Sequence, residues 1–398
     1  MPKVLSIVIP AYNEERSIVQ TLQDVLEAKT KIMDETDIDD VELIVVNDGS
    51  EDKTGRYVND FLSDDEIKLI SFEKNRGYGA AIKEGFRLAR GEYLGFFDAD
   101  NTCDPRFFVD LYNILQEKKA DIAVGSRTHG DSKMPTVRRI GNVLFAKLVN
   151  TLWRTHITDS ASGMRILRRD ALKEIYPLPD GLHFTPSMTC KALSNTDIRI
   201  VESPMPYEER KGKSKLNILK DGYRFLITIL EFGFSYRPFV FFGSIGMIFY
   251  FLALAYGVPV IVHYLRYQYI AENMIYRILA VITGIIVGST LMFINLIMRD
   301  FIAYANNQDM MSEKTKTKLA RVLLRPKMIV LIGLGLLFMS IALNLGALLE
   351  YITTKSISQH WIYTMVGAYL FIQGTIVFVF GVAEHIILVH KRNRYSDL

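Results

Sequence analysis

The sequence predicts an α/β domain with a mainly parallel sheet, followed by an interfacial helix and four transmembrane helices. Over residues 1–210, short apolar runs alternate with segments of helical periodicity, which is the pattern of successive βαβ units. Over the last two-fifths of the chain, four long runs carry no charged residue. Each run is long enough to supply the roughly 20 apolar residues that a helix needs to cross a bilayer.

The charge-free runs fix the expected organisation of the chain. They are residues 238–260, 278–298, 328–349 and 362–383. We therefore expect membrane spans at about 238–262, 277–298, 328–350 and 362–388. This divides the chain into a domain at 1–210, a basic loop and amphipathic helix at 211–236, and a four-helix transmembrane domain at 237–398.

Lysine and arginine near the ends of the spans indicate the orientation. The second loop is rich in them, and so is the tail; these residues are Arg299, Lys314, Lys316, Lys318, Arg321, Arg325, Lys327, Lys391, Arg392 and Arg394. The other two loops offer only Arg266, Arg277 and Lys355. By the positive-inside rule, we expect a multi-pass protein of the cell membrane with its N-terminal domain and both termini in the cytoplasm.

Other features of composition limit the function classes. The net charge of +3 is too small to indicate a nucleic-acid partner. The sequence Met1-Pro2-Lys3 leads straight into an apolar run, so no signal peptide is expected. Cys103 and Cys190 are then free thiols in a reducing compartment.

The N-terminal domain is predicted to contain five strands. They are Val4–Pro10, Val41–Asn47, Ile67–Phe72, Tyr93–Phe97 and Ile122–Val124. Helices are expected between them, ending at about Ala28, starting near Thr54, ending at about Ala89, and spanning 105–118 with Pro105 in the first turn. Further helices are expected from Arg138 to about Trp153 and from His183 to Leu193.

Two carboxylates follow the fourth strand. Asp98 and Asp100 flank one small residue, so both side chains can point the same way at a strand's carboxyl end. Two anions this close favour a cation between them, and hard oxygen ligands suit Mg²⁺ or Mn²⁺. The alternative is an ordinary turn with solvated aspartates.

Polar clusters follow three other strands as well, and together they indicate a binding site at one edge of the sheet. They are Tyr12 with Glu14, Asp48, and Arg127. No Gly-x-Gly-x-x-Gly fingerprint follows the first strand and no Walker-type loop is found. The sequence therefore gives little support to a dinucleotide dehydrogenase or a P-loop enzyme.

The motifs at these strand ends resemble those of family 2 glycosyltransferases. The series is Ile9-Pro10-Ala11-Tyr12-Asn13-Glu14-Glu15, Val46-Asn47-Asp48-Gly49-Ser50, Asn75-Arg76-Gly77 and Asp98-Ala99-Asp100. Three more motifs resemble the polyprenyl-phosphate branch, typified by dolichol-phosphate mannose synthase: Gly125-Ser126-Arg127, Ser162-Gly163-Met164-Arg165 and Arg210-Lys211-Gly212-Lys213-Ser214-Lys215. The resemblance covers residues 4–220 and implies a glycosyltransferase A-type fold.

The resemblance also implies roles on the donor side. Residues that hold the base and ribose would be Pro10, Tyr12, Glu14 and Asp48. Asp98 and Asp100 would hold the metal and the diphosphate. The matching enzymes have a glutamine two positions after the second aspartate, where this chain has Thr102. The third metal ligand would then be Thr102, the Asn101 amide or water.

The chemistry of the acceptor decides what else the site needs. A lipid phosphate is already an anion at neutral pH, so it requires binding and not deprotonation, and arginines are suited to this. By resemblance, Arg127 and Arg138 would bind the phosphate, with Asn142 nearby and Ser162 in the floor of the site. The alternatives are a basic surface for anionic lipid and, for residues 159–163, a simple turn. His183 is a candidate base, although packing at a helix start explains it better.

The segment that joins the two domains is basic and then amphipathic. Arg210, Lys211 and Lys215 lie in a hydrophilic loop that would close over the phosphates as a lid, the alternative being a flexible linker. From Leu216 to Phe234, apolar residues recur at helical spacing directly before the first span. This pattern is typical of an interfacial helix.

We therefore expect metal-dependent, inverting transfer of a monosaccharide from GDP-mannose or a UDP-sugar to dolichyl or undecaprenyl phosphate. The sugar stays open, as does oligomerisation. One alternative is a processive polysaccharide synthase, but Trp153 and Trp361 lie in no Gln-x-x-Arg-Trp motif. Another is a non-catalytic lipid flippase subunit with a degenerate transferase domain, and the intact Asp98/Asp100 pair is evidence against it.

Overall fold

The computed structural model describes residues 2–61, 67–128, 132–210, 215, 217–305, 325–356, 358 and 361–396. The chain divides into two compact units, Met1–Phe232 and Gly233–Leu398. The division falls inside the segment 211–236, which the sequence predicts to join the two domains.

The first unit contains a seven-stranded, mainly parallel sheet. Its strands are β1 Val4–Ala11, β2 Asp40–Asn47, β3 Ile67–Ser71, β4 Tyr93–Phe96, β5 Ile122–Ser126, β6 Arg165–Arg168 and β7 Ile200–Pro204. Their order across the sheet is β3-β2-β1-β4-β6-β5-β7. Strand β6 runs against its neighbours, β4 and β5. The predicted α/β class is confirmed.

Strands β6 and β7 were not predicted. β6 has only four residues with an arginine at each end, and β7 is only partly buried, so neither shows a clear apolar strand pattern. The insertion of antiparallel β6 leaves β5 running in the same direction as β4. The carboxyl end of β5 therefore stays at the same edge as those of β1, β2 and β4.

Helices cover both faces of the sheet. The helices of this unit are α1 Ile18–Glu35, α2 Thr54–Asp60, α3 Tyr78–Leu88, α4 Phe108–Glu117, α5 Thr136–Trp153, α6 Arg169–Ile175 and α7 Phe184–Ser194, with a 3₁₀ turn at Pro105–Phe107. Helix α8, Ile218–Tyr236, follows them and crosses the boundary between the two units. Helix α1 extends beyond the predicted end at Ala28 because Ile32 continues its buried stripe.

Side chains of strand β1 point alternately into two separate hydrophobic cores, one on each face of the sheet. Leu5, Ile7 and Ile9 of β1 belong to the core that includes α1 and α4. Val8 of β1 belongs to the core that includes α3, α6 and α7. This two-sided burial is what the period of two along a strand produces when helices pack on both faces. It leaves the carboxyl edge of the sheet as the place where loops meet.

The second unit contains four long apolar helices. They are α9 Ser244–Tyr267, α10 Ile275–Ala305, α11 Pro326–Thr354 and α12 Trp361–Ser396, with a π turn at Phe239–Gly243 before α9 and a 3₁₀ turn at Glu272–Met274 before α10. In length and composition, four helical segments of the described chain suffice to cross a membrane: Phe239–Tyr267, Glu272–Ile302, Pro326–Thr354 and Trp361–His390. Each of them overlaps one of the four predicted spans.

A buried polar contact joins two of these helices. The side-chain amide of Gln373 in α12 donates to the hydroxyl of Ser289 in α10 at 2.9 Å. Interhelical hydrogen bonds of this kind help to hold apolar helices together in lipid, where the hydrophobic effect does not act between them.

Candidate active site

A cavity of about 520 Å³ lies at the carboxyl edge of the sheet, within the size range of small-molecule sites. Most of the predicted site residues line it: Pro10, Tyr12, Glu14, Asp48, Asp98, Asp100, Arg127, Arg138, Asn142, Arg210 and Lys215. Strand register explains this meeting, because Ala11 pairs with Asn47 and Val8 pairs with Phe96. Residues just beyond those pairs emerge side by side. Lys211 lies outside the described residues.

Asp98 and Asp100 occupy one wall of the cavity. One carboxylate oxygen of Asp98 accepts a hydrogen bond from the Tyr78 hydroxyl at 2.7 Å. A carboxylate oxygen of Asp100 lies 3.0 Å from Nη1 of Arg210. Burial, reinforced by the charge of Asp100, raises the pKa of Asp98 to about 7. The wall therefore concentrates negative charge where solvent does little to stabilise it.

The donor set of this wall fits a hard divalent cation. Oxygen ligands and buried negative charge are what Mg²⁺ and Mn²⁺ require. In the described part of the chain, no group of three or more His, Cys, Asp or Glu residues could hold a metal. Asp98 and Asp100 would thus supply two carboxylates, and phosphate and water the remaining ligands.

Thr102 and Ser162 sit behind the cavity wall. Thr102 is 1% exposed, and its hydroxyl donates to Asp100 at 2.6 Å. Ser162 is fully buried and donates to the carbonyl of Gly125 at 2.6 Å. Thr102 thus contacts Asp100, and Ser162 contacts the backbone of β5. Their predicted roles, as third metal ligand and as part of the acceptor floor, stay predictions. The spacing of the motifs predicted that both residues lie near the site. It did not predict which acceptors their hydroxyls bind.

The basic residues of the predicted lid contact the end of β1. Arg210 donates to the carboxylate of Glu14 as well as approaching Asp100. Nζ of Lys215 lies 2.6 Å from Oε1 of Glu14 and 2.7 Å from the carbonyl oxygen of Asn13. Burial lowers the pKa of Lys215. Two cations are thus held beside the carboxylates at the cavity wall.

Asp48 fixes the loop before α3. Its two carboxylate oxygens accept the backbone N–H groups of Arg76 at 2.7 Å and Gly77 at 3.0 Å. Gly77 has a φ of 108°, a conformation that favours glycine. Burial raises the pKa of Asp48. Asp48 therefore borders the cavity and also shapes its rim.

Arg127 is already paired with a buried carboxylate. Its Nε and Nη2 donate to the two oxygens of Asp159 at 2.7 and 3.0 Å. Asn142 donates to the same carboxylate at 3.3 Å. Burial alone would raise the pKa of Asp159, but Arg127 holds it below its usual value. The guanidinium of Arg127 also lies 5.6 Å from the ring centre of Tyr207.

Two residues near the site were missed by sequence reasoning as contributors to its geometry. Tyr78 contacts Asp98, and Arg165 is fully buried with hydrogen bonds to the carbonyls of Ser160 at 2.9 Å and Ser162 at 3.0 Å and to the hydroxyl of Thr189 at 3.0 Å. Burial lowers the pKa of Arg165 to about 10. Tyr78 directly follows the Asn75-Arg76-Gly77 motif, and Arg165 is the last residue of the Ser162-Gly163-Met164-Arg165 motif. Their positions beside these motifs were the sequence feature that could have indicated a role at the site.

The family model described as "Glycosyl transferase family 2" matches residues 6–176. The chain contains a family 2 glycosyltransferase domain. The match runs from within β1 to beyond the end of β6. Together with the mainly parallel sheet and the four apolar helices, it agrees with the predicted A-type class. The resemblance seen in the motifs is confirmed.

Curated relatives of this glycosyltransferase domain agree in class. The chain is 31% identical over 227 residues to the low-salt glycan biosynthesis hexosyltransferase Agl6 of Haloferax volcanii, and the match covers 55% of this chain and 51% of that protein. It is 29% identical over 243 residues to the dolichyl-phosphate beta-glucosyltransferase of Saccharomyces cerevisiae, covering 55% of this chain and 71% of the relative. The chain thus spans only about half the length of the Haloferax protein.

The chain is also similar to a third curated relative, a dodecaprenyl-phosphate enzyme, and to a solved structure. The dodecaprenyl-phosphate galacturonate synthase of Rhizobium johnstonii is 25% identical over 250 residues, covering 61% of this chain and 71% of that protein. Among solved structures, glucosyl-3-phosphoglycerate synthase of Mycobacterium tuberculosis, crystallised with Mn²⁺, uridine diphosphate and phosphoglyceric acid, is 19% identical with a TM-score of 0.46, over 58% of this chain and 78% of that one.

Proposed function

We propose that this chain transfers a monosaccharide from a nucleotide sugar to a polyprenyl phosphate at the cytoplasmic face of a membrane, with inversion and with Mg²⁺ or Mn²⁺. One observation carries the proposal. A single cavity joins the Asp98/Asp100 pair to a wall of arginine and apolar side chains from α5 and α8. A nucleotide sugar alone would not require that second wall.

The donor side combines a carboxylate pair with cations. Asp98 and Asp100 would hold the metal, which when bound acts as a Lewis acid that neutralises charge on the leaving diphosphate. Arg210 and Lys215 would exchange their contacts with Glu14 and Asp100 for contacts with the diphosphate oxygens. Pro10, Tyr12, Glu14 and Asp48 would border the nucleoside.

The acceptor side combines positive charge with exposed apolar surface. Arg138 from α5 and Arg224 from α8 line the cavity. Val137 on α5 is 60% exposed and Leu219 on α8 is 85% exposed. A phosphate would bind the arginines, while an isoprenoid chain and lipid would cover the apolar residues. Because Arg127 is paired with Asp159, it would mainly position this wall.

No general base is needed for this acceptor. Its phosphate oxygen is already the nucleophile, so the chain has only to bring that oxygen to the anomeric carbon and hold the leaving group. His183, just before α7, is half-buried, and burial lowers its pKa. His183 does not line the cavity, and this supports the packing interpretation over a role as base.

Names of relatives and the apolar helices support the choice of acceptor and compartment. Two of the relatives described above are named for dolichyl or dodecaprenyl phosphate. We propose that the domain 1–210 and both termini are cytoplasmic, on the strength of the basic second loop and tail. The division 1–210, 211–236 and 237–398 is proposed on the same grounds.

An acceptor-exchange experiment tests the proposal. The full chain in nanodiscs is incubated with Mn²⁺ and, in turn, radiolabelled GDP-mannose, UDP-glucose and UDP-N-acetylglucosamine. One donor is expected to label polyprenyl phosphate, whereas unphosphorylated polyprenol stays unlabelled. Equal labelling of both lipids, or labelling of neither with every donor, would contradict a lipid-phosphate acceptor.

A further inference from the structure

The first residue of helix α3 reaches the predicted metal-binding wall. Tyr78 lines the cavity, and its hydroxyl donates to Oδ1 of Asp98 at 2.7 Å. Asp98 lies just beyond β4, twenty residues further along the chain. Tyr78 lies on a separate loop–helix junction, so this hydrogen bond ties together two elements that both border the cavity.

The backbone on either side of Tyr78 is held in place. Asp48 accepts the N–H groups of Arg76 and Gly77. On the other side, the N–H of Ala80 donates to the carbonyl of Asp180 at 3.0 Å. A Cβ at Gly79 would lie 2.2 Å from the carbonyl oxygen of Pro179, so the helix start packs directly on that backbone. The backbone of Tyr78 is therefore held on both sides, and this fixes the position from which its hydroxyl reaches Asp98.

The other oxygen of Asp98 is confined from the opposite side. A Cβ added at Gly163 would lie 2.3 Å from Oδ2 of Asp98, so the carboxylate packs against the backbone there. Arg165 binds the carbonyls of Ser160 and Ser162 and fixes that loop. The carboxylate of Asp98 is thus held between a hydroxyl and a glycine backbone.

We propose that Tyr78 is a positioning residue that sets the affinity of the Asp98/Asp100 wall for a divalent metal ion. The inference rests on the proposed function, since it assigns Asp98 to the metal. Without such contacts, the terminal side-chain torsion of an aspartate takes a broad range of values. A carboxylate that is already ordered loses less conformational entropy when it binds an ion. Partners that orient metal ligands are worth about 10–100-fold in metal affinity.

The test is direct titration of the full chain with Mn²⁺, in which electron paramagnetic resonance measures the free ion. Titrations are run with Mn²⁺ alone and with UDP or GDP added. Tyr78→Phe is expected to weaken Mn²⁺ binding about 10–100-fold. In turnover, its loss of rate is expected to be recovered by excess Mn²⁺, a rescue that damage to the fold would not show.

A matched control removes the same kind of hydrogen bond elsewhere. The hydroxyl of Tyr112 donates to Asp37, and Tyr112→Phe is expected to bind Mn²⁺ like the wild type. Gly163→Ala provides a second route, because its methyl group would displace Asp98 from the other side. It is expected to weaken Mn²⁺ binding in the same way, even if Tyr78→Phe does not fold.

The outcomes separate this inference from the proposed function. If Asp98→Asn loses Mn²⁺ binding while Tyr78→Phe and Gly163→Ala keep wild-type affinity, the role of Tyr78 is overturned and the metal site stands. If the wild type binds no Mn²⁺ with either nucleotide, both the inference and the proposed metal dependence are overturned.

Discussion

The guanidinium of Arg127 donates two hydrogen bonds to Asp159, with N–O distances of 2.7 and 3.0 Å. Asp159 is fully buried, and the Arg127 side chain is only 12% exposed. The arginine that the sequence assigns to an incoming phosphate therefore already has a carboxylate partner. This pair links the end of β5 to the loop before β6, and so it shapes the acceptor side of the cavity.

Breaking this pair is expected to destabilise the glycosyltransferase domain. Asp159→Asn would leave the Arg127 charge buried without its counter-ion, which costs about 3–5 kcal/mol. Thermal unfolding of the full chain checks this as a fall in melting temperature. The control is Asp170→Asn, which removes an exposed ion pair with Lys173 and is expected to leave the melting temperature unchanged. An equal melting temperature for Asp159→Asn and wild type would contradict the assignment.

The same pair predicts a pH dependence of stability. Arg127 holds the pKa of Asp159 below its usual value, so the unfolded chain takes up the proton first as pH falls. The stabilisation is therefore fully present above about pH 4, the ordinary aspartate pKa, and disappears as pH falls through the lower folded value. The difference in melting temperature between wild type and Asp159→Asn should shrink below about pH 4. If the difference in melting temperature between wild type and Asp159→Asn instead grew as pH falls, the predicted stabilisation by the Arg127–Asp159 pair would be contradicted.

Arg210 is expected to govern donor binding. It bridges Glu14 and Asp100 at the cavity wall, and a charge-assisted hydrogen bond contributes about 1.5–3 kcal/mol. Arg210→Gln should raise the KM for the nucleotide sugar about 10–100-fold and leave the KM for the lipid nearly unchanged. The control Arg87→Gln removes an exposed pair with Glu84. An unchanged donor KM in Arg210→Gln would remove Arg210 from the proposed site.

Arg224 is expected to act on the acceptor. It lines the cavity from α8, where Phe225 packs edge-on against Phe145 of α5 with ring centres 6.0 Å apart. Arg224→Gln should raise the KM for polyprenyl phosphate about 10–100-fold without altering nucleotide affinity. Arg106→Gln, which removes an exposed pair with Asp104, is the control. A selective loss of nucleotide affinity would assign Arg224 to the donor instead.

The part of the site that the sequence could predict is the set of polar residues that follow parallel strands. Asp98, Asp48 and Glu14 each follow an apolar run, and parallel strands end at one edge, so their meeting was predictable. The four apolar helices were equally clear, because charge-free runs of that length match the thickness of a bilayer and rarely occur four times in one soluble domain.

Other features depend on tertiary structure. The partner of Arg127 lies 32 residues away, in the loop before an antiparallel strand whose four residues show no strand pattern of their own. Thr102 lies two residues after Asp100 in the sequence, but the hydrogen bond from its hydroxyl to Asp100 depends on the local backbone path. Tyr78 occupies an ordinary helix start in the sequence, and only the packing of Gly79 and Gly163 explains why its hydroxyl meets Asp98.

Metal-dependent transfer to a lipid phosphate is tested most directly by assaying the wild type and Asp100→Ala on polyprenyl phosphate, with Mn²⁺ and with a chelator. Asp100 is 6% exposed beside Asp98, and both line the cavity. The wild type is expected to form the lipid-linked sugar only with the metal. Asp100→Ala, folded by its melting temperature, is expected to lose activity by about 10²–10³-fold or more. Full activity in Asp100→Ala, or transfer that persists in the chelator, would contradict the proposed mechanism.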